Sequence, residues 1–184
     1  MFYFASRSAA EVLSASRCHA GPMAISAQDL VHLRACVALA HEAFEAGDGP
    51  FGTVLVDADG TVLWSGRNHD GGGDETQHPE LAVAQWSARL APEVRAACTV
   101  YTSGEHCPMC SAAHGWMGLG RIVYAVSSEQ LLSWRQAWGS AELVVNVLPI
   151  NAIAPRVRVD GPAPELEDEM KALHRAAWER SAQD

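Results

Sequence analysis

The chain has 184 residues, a formal net charge of −9 and a single lysine, Lys171. That length suits one domain with a sizeable core, and no stretch approaches the ~20 apolar residues of a membrane span. The arginines are scattered singly; nucleic-acid binding draws most of its affinity from Lys and Arg on phosphates, so the composition argues against a polynucleotide and for a small neutral substrate.

Residues 1–22 are rich in Ser, Ala and Arg, carry Glu11 as their only acid and end in Gly21-Pro22. They read as a non-catalytic N-terminal extension, or as a transit-type leader, ahead of a domain over 23–184. Ser26 is a good N-cap, with Asp29 in the first turn. Leu30, Leu33, Val37, Ala40 and Phe44 follow at helical steps, and Gly47, Gly49 and Pro50 end that helix. Residues 53–56 and 61–64 are β-rich runs around Asp57-Ala58-Asp59-Gly60, a hairpin. A glycine-rich loop over 69–77 has no phosphate-binding pattern. Helical spacing resumes over 79–90, with Pro79 at the favoured first position and His78 held extended before it.

Further along, 98–102 reads as a strand and 107–117 as a short helix opened by a cysteine pair. Strand 122–126, helix 128–138 and strand 143–148 come next. Pro164 starts a last helix with Leu166, Met170, Leu173 and Ala177 inward. Helices alternating with strands predict an open mixed sheet covered on both faces.

The chemistry-bearing cluster is split: His78-Pro79-Glu80, then Cys107-Pro108-Met109-Cys110. One His and two Cys fill the three protein positions of a catalytic zinc site, which leaves the fourth to water. A structural zinc site is the competing reading, with Cys98, His106 or His114 as fourth ligand. Both segments fall at predicted helix N-termini, where unpaired N–H groups favour thiolates. Glu80 stands two residues past the ligand His, where it could handle the water's protons. The five cysteines, odd in number, read as metal and thiol chemistry in a reducing cytoplasm rather than as a disulfide framework.

The cluster has the H-x-E…C-x-x-C spacing of zinc deaminases. With its flanks it resembles the cytidine deaminase superfamily, on the side of the guanine, cytosine and tRNA adenosine deaminases. The resemblance includes 50–56 (PFGTVLV), Asn68 and the lead-in Asp74-Glu75-Thr76-Gln77-His78. It departs from the family at Pro79, usually Ala, and at His106, usually Pro.

The resemblance implies an α/β fold: a three-layer α/β/α architecture with a central five-stranded mixed sheet, usually as a homodimer. It implies a catalytic Zn²⁺ on His78, Cys107 and Cys110, Glu80 as the proton carrier, and substrate contacts from Asn68 and Trp116. His106 stands beside the site, where it contacts substrate or a flanking backbone group. Contacts that select the base are expected from His106, Trp116, the 127–140 segment and the last helix. The activity implied is hydrolytic deamination of a free nucleobase in the guanine, cytosine or aminotriazine range. A nucleoside deaminase, a tRNA adenosine deaminase and a catalytically silent zinc module are the alternatives.

Overall fold

In the computed structural model, which describes residues 25–139 and 144–182, helix α1 (Ala27–Glu45) opens with a reciprocal cap. The Ser26 hydroxyl accepts from the Asp29 amide at 3.1 Å, and the Asp29 carboxylate accepts from the Ser26 amide at 2.9 Å. Such a cap contributes about 1 kcal/mol. Leu33, Cys36, Val37, Ala40 and Ala43 form the buried face, as the helical spacing predicts.

The sheet order is β2-β1-β3-β4-β5. Its strands are β1 (Gly52–Val56), β2 (Val62–Arg67), β3 (Thr99–Gly104), β4 (Arg121–Val126) and β5 (Val159–Asp160). β1 pairs antiparallel with β2 and β3, whereas β3, β4 and β5 run parallel. Alternation along β1 feeds two cores. Val54 and Val56 pack with α1 and with Leu166, Met170 and Leu173, the last two on α7 (Glu167–Ser181). Leu55 packs with Val83 and Ala84 of α2 (Pro79–Trp86), and Ala113 and Met117 of α4 (Pro108–Met117) close that second core. Helices thus cover both faces, the three-layer α/β/α arrangement expected. At Gly52 a Cβ would lie 2.4 Å from the Cys36 carbonyl oxygen, so only glycine lets α1 lie this close to β1.

A buried ionic knot locks the layers together. Asp29 accepts from the Tyr101 hydroxyl at 2.9 Å and from Arg121 at 2.6 Å, and Arg121 also donates to Asp160 at 2.6 Å. Burial works to raise the Asp29 pKa, but the bond from Arg121, with those from Ser26 and Tyr101, holds the carboxyl well below its ordinary value.

Three elements differ from the sequence reading. The fifth strand is not 143–148: residues 144–148 form no strand, and β5 fills the edge beside β4. The run is rich in β-branched residues, yet Val144 and Val145 stand exposed, and propensity without a face to bury does not make a strand. The helix expected over 79–90 stops at Trp86 and tightens into a 3₁₀ turn, Ser87–Arg89. The short helix α3 (Pro92–Ala97), entered through Pro92, went unforeseen. Helix α5 (Ser128–Ala137) and the one-turn α6 (Ile150–Ile153) complete the fold. The expected extension, 1–22, lies outside the described residues.

Candidate active site

The site is built at two helix starts. His78 is the N-cap of α2 in extended conformation, with Pro79 in the first turn; Cys107 is the N-cap of α4, also extended, with Pro108 in the first turn. Neither N-cap side chain caps its own helix, so both are free to turn toward each other. Cys110, one turn further, falls on the same side of α4 as Cys107. α2 and α4 pack together on one face of the sheet. The His78 Nδ1 atom is consequently 3.6 Å from Cys107 Sγ and 3.6 Å from Cys110 Sγ.

These distances fit zinc. Zn–N and Zn–S bonds of about 2.1 and 2.3 Å at a tetrahedral angle put N and S about 3.6 Å apart. Among the described residues, only these three form a cluster able to hold a metal. None of the fourth ligands required by a structural site joins them. Cys98 is in the core with Leu55 and Val100, and His114 Nε2 is 3.0 Å from the Gly120 carbonyl oxygen. The donor set is that of an open, catalytic centre. A hydrogen bond from Cys110, assisted by one from His78, holds the Cys107 thiol down at about 4 against the effect of burial. Donation to Cys107, together with burial, pushes the Cys110 thiol up.

Glu80 is buried and lines one cavity with His78 and Cys107. Its Oε1 accepts from Thr102 Oγ1 at 2.7 Å and from Thr53 Oγ1 at 3.0 Å. Burial raises its pKa, and the Thr102 hydroxyl opposes that rise. A carboxylate held this way is fixed in position and moved toward the range useful for proton transfer near neutrality.

The cavity measures about 180 Å³ and is walled chiefly by apolar side chains. Phe51 and Pro108 line it near the ligands, and Leu131, Leu132 and Arg135 come from α5. Residues 145–148 supply a further wall, and Glu105 and Ser128 complete the polar lining. The segment expected to select the base, 127–140, thus contributes four residues to the cavity lining: Ser128, Leu131, Leu132 and Arg135. The last helix stays behind the wall, where His174 packs on the Phe51 ring at 5.0 Å.

The three expected substrate contacts are placed differently. Asn68 is buried and does not line the cavity; its backbone N–H donates to the carbonyl oxygen of Phe51, which does. Its Nδ2 donates to Asp70 at 2.8 Å, while Oδ1 has no partner. His106 is fully buried and meets His114 edge-on at 5.5 Å, away from the cavity lining. Trp116 is 88% exposed on α4 and does not line the cavity either. His106 and Trp116 thus stand off this cavity: the strand-to-helix turn sends His106 inward, and the pitch of α4 sends Trp116 to solvent.

Sequence reasoning missed Thr53, Thr102, Phe51, Glu105 and Asn146. Glu105 adjoins the ligand loop and was within reach of the motif; the others become legible only once the strands are paired.

The fold and the centre together define a zinc-dependent α/β domain of the deaminase type. Residues 26–126 match the cytidine and deoxycytidylate deaminase zinc-binding region, and the chain belongs to that family. The probable cytosine deaminase of Schizosaccharomyces pombe is 33% identical over 157 residues, covering 84% of this chain and 95% of its own. The guanine deaminase of Bacillus subtilis is 35% identical over 96 residues, half of this chain and 61% of its own. In structure, the guanine deaminase of Nitrosomonas europaea superposes with a TM-score of 0.62 over 96% of both chains at 19% identity, a likeness of fold.

Proposed function

We propose that the protein is a zinc-dependent hydrolase that deaminates a small free nucleobase or analogue, in the guanine, cytosine or aminotriazine range. The observation that carries this reading is Glu80, buried and clamped on the cavity that also holds the ligand set His78, Cys107 and Cys110. Zinc held by His78, Cys107 and Cys110 would lower the pKa of a water to near neutrality, so that on losing a proton it could attack an amine-bearing ring carbon. Glu80 takes a proton from the attacking water and gives it to a ring nitrogen. It then takes the second proton, from the hydroxyl newly bonded to the ring carbon, and delivers it to the departing amine. One water is consumed, a carbonyl replaces the amine, and ammonia leaves. Phe51, Leu131 and Leu132 offer apolar surface to a flat ring; the substrate contact that the family resemblance implies for Asn68 would fall to its Oδ1, which has no partner.

The cytosine and guanine deaminase relatives support a base as substrate. So does a cavity of this size, which suits one planar heterocycle. The test is ammonia release from zinc-loaded protein across guanine, cytosine, adenine, their nucleosides and several aminotriazines. Release from a free base alone is the expected result; turnover of nucleosides without any free base would reverse the assignment.

The same reading extends to a cytoplasmic homodimer acting in base salvage. Its support is the family resemblance, the free Cys36 and Cys98, and the exposed Trp116. No helix among the described residues is long and apolar enough to cross a membrane. Light scattering coupled to gel filtration tests the dimer: a mass of one chain would remove it.

A further inference from the structure

Glu105 lies on the loop between β3 and the ligand Cys107, and its two carboxylate oxygens go to two different segments. Oε2 accepts from the Ser128 amide at 3.0 Å, and Oε1 accepts from the Ile150 amide at 3.0 Å. Ser128 is the first residue of α5, and Ile150 is the first residue of α6. These two helix starts bracket the cavity wall. Leu131, Leu132 and Arg135 follow Ser128, and 145–148 precede Ile150. Apart from β5, no strand pairing among the described residues after β4 anchors the chain to the sheet. A carboxylate at two helix N-termini, each with unpaired N–H groups, makes strong charge-assisted bonds.

We infer that Glu105 is a positioning residue: its carboxylate pins the base-selecting wall, carrying Arg135 and Asn146, at a fixed distance from the metal-ligand loop. This rests on the deaminase reading given above. The Arg135 guanidinium has no hydrogen-bond partner among the described residues, and Arg135 and Asn146 are the wall's lining residues with side-chain N–H donors. Their reach to a bound ring is set by how firmly the wall is held. The pin therefore acts on binding and on choice of base, and the proton transfers stay with Glu80.

Two variants test it. Glu105→Gln replaces one acceptor oxygen with a donor that faces a backbone N–H. Ser128→Pro removes one of the two N–H donors at a position where proline is favoured, behind a Ser127 already extended at φ −80°, ψ 157°, as a residue before proline requires. In zinc-loaded protein, amide exchange at Ile150 and in α5 should accelerate in Glu105→Gln, while amides of β1 and α1 keep their protection. KM for the turned-over base should rise roughly tenfold or more, the equivalent of one charge-assisted bond, with a smaller change in kcat. The kcat/KM ratio between guanine and cytosine should move toward unity, and Ser128→Pro should shift KM and selectivity in the same direction by less. Unchanged exchange at Ile150 and α5 in Glu105→Gln, or a fall in kcat at constant KM, overturns the inference. If wild-type protein releases ammonia from no base, the deaminase reading fails, and the exchange measurement still decides whether the pin exists.

Discussion

Thr53 and Thr102 are paired directly across β1 and β3, and their hydroxyl oxygens, 3.2 Å apart, both lie within hydrogen-bond reach of the same Glu80 oxygen. Strand register thus sets the position of the proposed proton carrier, because the two residues project from one face of the sheet beneath α2. Replacing Thr102 by Val keeps the shape and removes the shorter bond. The loss of one bond to a charged group is worth about 1.5–3 kcal/mol, so kcat should fall by roughly tenfold to a hundredfold while zinc stays bound. A Thr53→Val, Thr102→Val double variant should lose more than either single one. Unchanged kcat in the double variant would show that the clamp does not matter.

Glu80→Gln is the sharper test of chemistry. It preserves volume and can still accept from the threonines, yet it cannot carry a proton. Turnover should drop by roughly 10²–10⁴, with metal content and melting temperature close to wild type. Substantial residual turnover would move the proton-transfer role to another group on the cavity.

For the metal, Cys107→Ala and Cys110→Ala should each lose zinc and stability together, since metal binding is linked to folding. A melting-point drop of roughly 5–10 °C is expected, a few kcal/mol for a domain of this size. Adding zinc to stripped wild-type protein in weak buffer should release protons, because Cys110 must give up a proton that its pairing with Cys107 otherwise retains. Full zinc occupancy in both variants, measured by elemental analysis, would remove the cysteines as ligands.

Acid sensitivity has a second source besides the metal ligands. Burial lowers the pKa of His174 to about 3 and of His114 to about 4. An imidazole depressed in the folded state stays neutral there while the unfolded chain already binds a proton below about 6.5. Its contribution is therefore complete above that value and is lost as pH falls toward the folded pKa. Each such group contributes about 1.4 kcal/mol per pH unit to the slope. Replacing His174 by Leu keeps an apolar contact with Phe51 and should flatten the stability profile between pH 6 and 4, read by urea unfolding, by about one proton. An unaltered slope would show that His174 is protonated in the native protein.

Much of the fold was legible because local signals agreed with one another. Ser26 and Asp29 marked the start of α1, Asp57 to Gly60 marked the hairpin, and the prolines after His78 and Cys107 marked the two helix starts. Those same prolines made the ligand set readable, since His-Pro-Glu and Cys-Pro-Met-Cys carry their geometry within a single turn. What the sequence left hidden depends on distant pairing. Residues 144–148 have strand propensity and no sheet position, because the edge beside β4 goes to Val159 and Asp160, the latter held by Arg121. Trp116 and His106 sit correctly relative to the motif, but one helical pitch and one strand end turn them away from the cavity. The Thr53–Thr102 clamp depends on a register that no local pattern encodes.

The brevity of β5 has a consequence for how copies of the protein can meet. It offers two paired positions, Ile122 with Val159 and Val123 with Asp160, too few to template a further strand. An exposed edge of free N–H and C=O groups is the usual route to edge-to-edge growth, and on this side that edge is nearly absent. The other edge, β2, is six residues long and ends at Arg67, which is tied back to Asp48. Sheet extension into fibres is therefore disfavoured at the β5 border, and any growth of the sheet is left to the β2 edge.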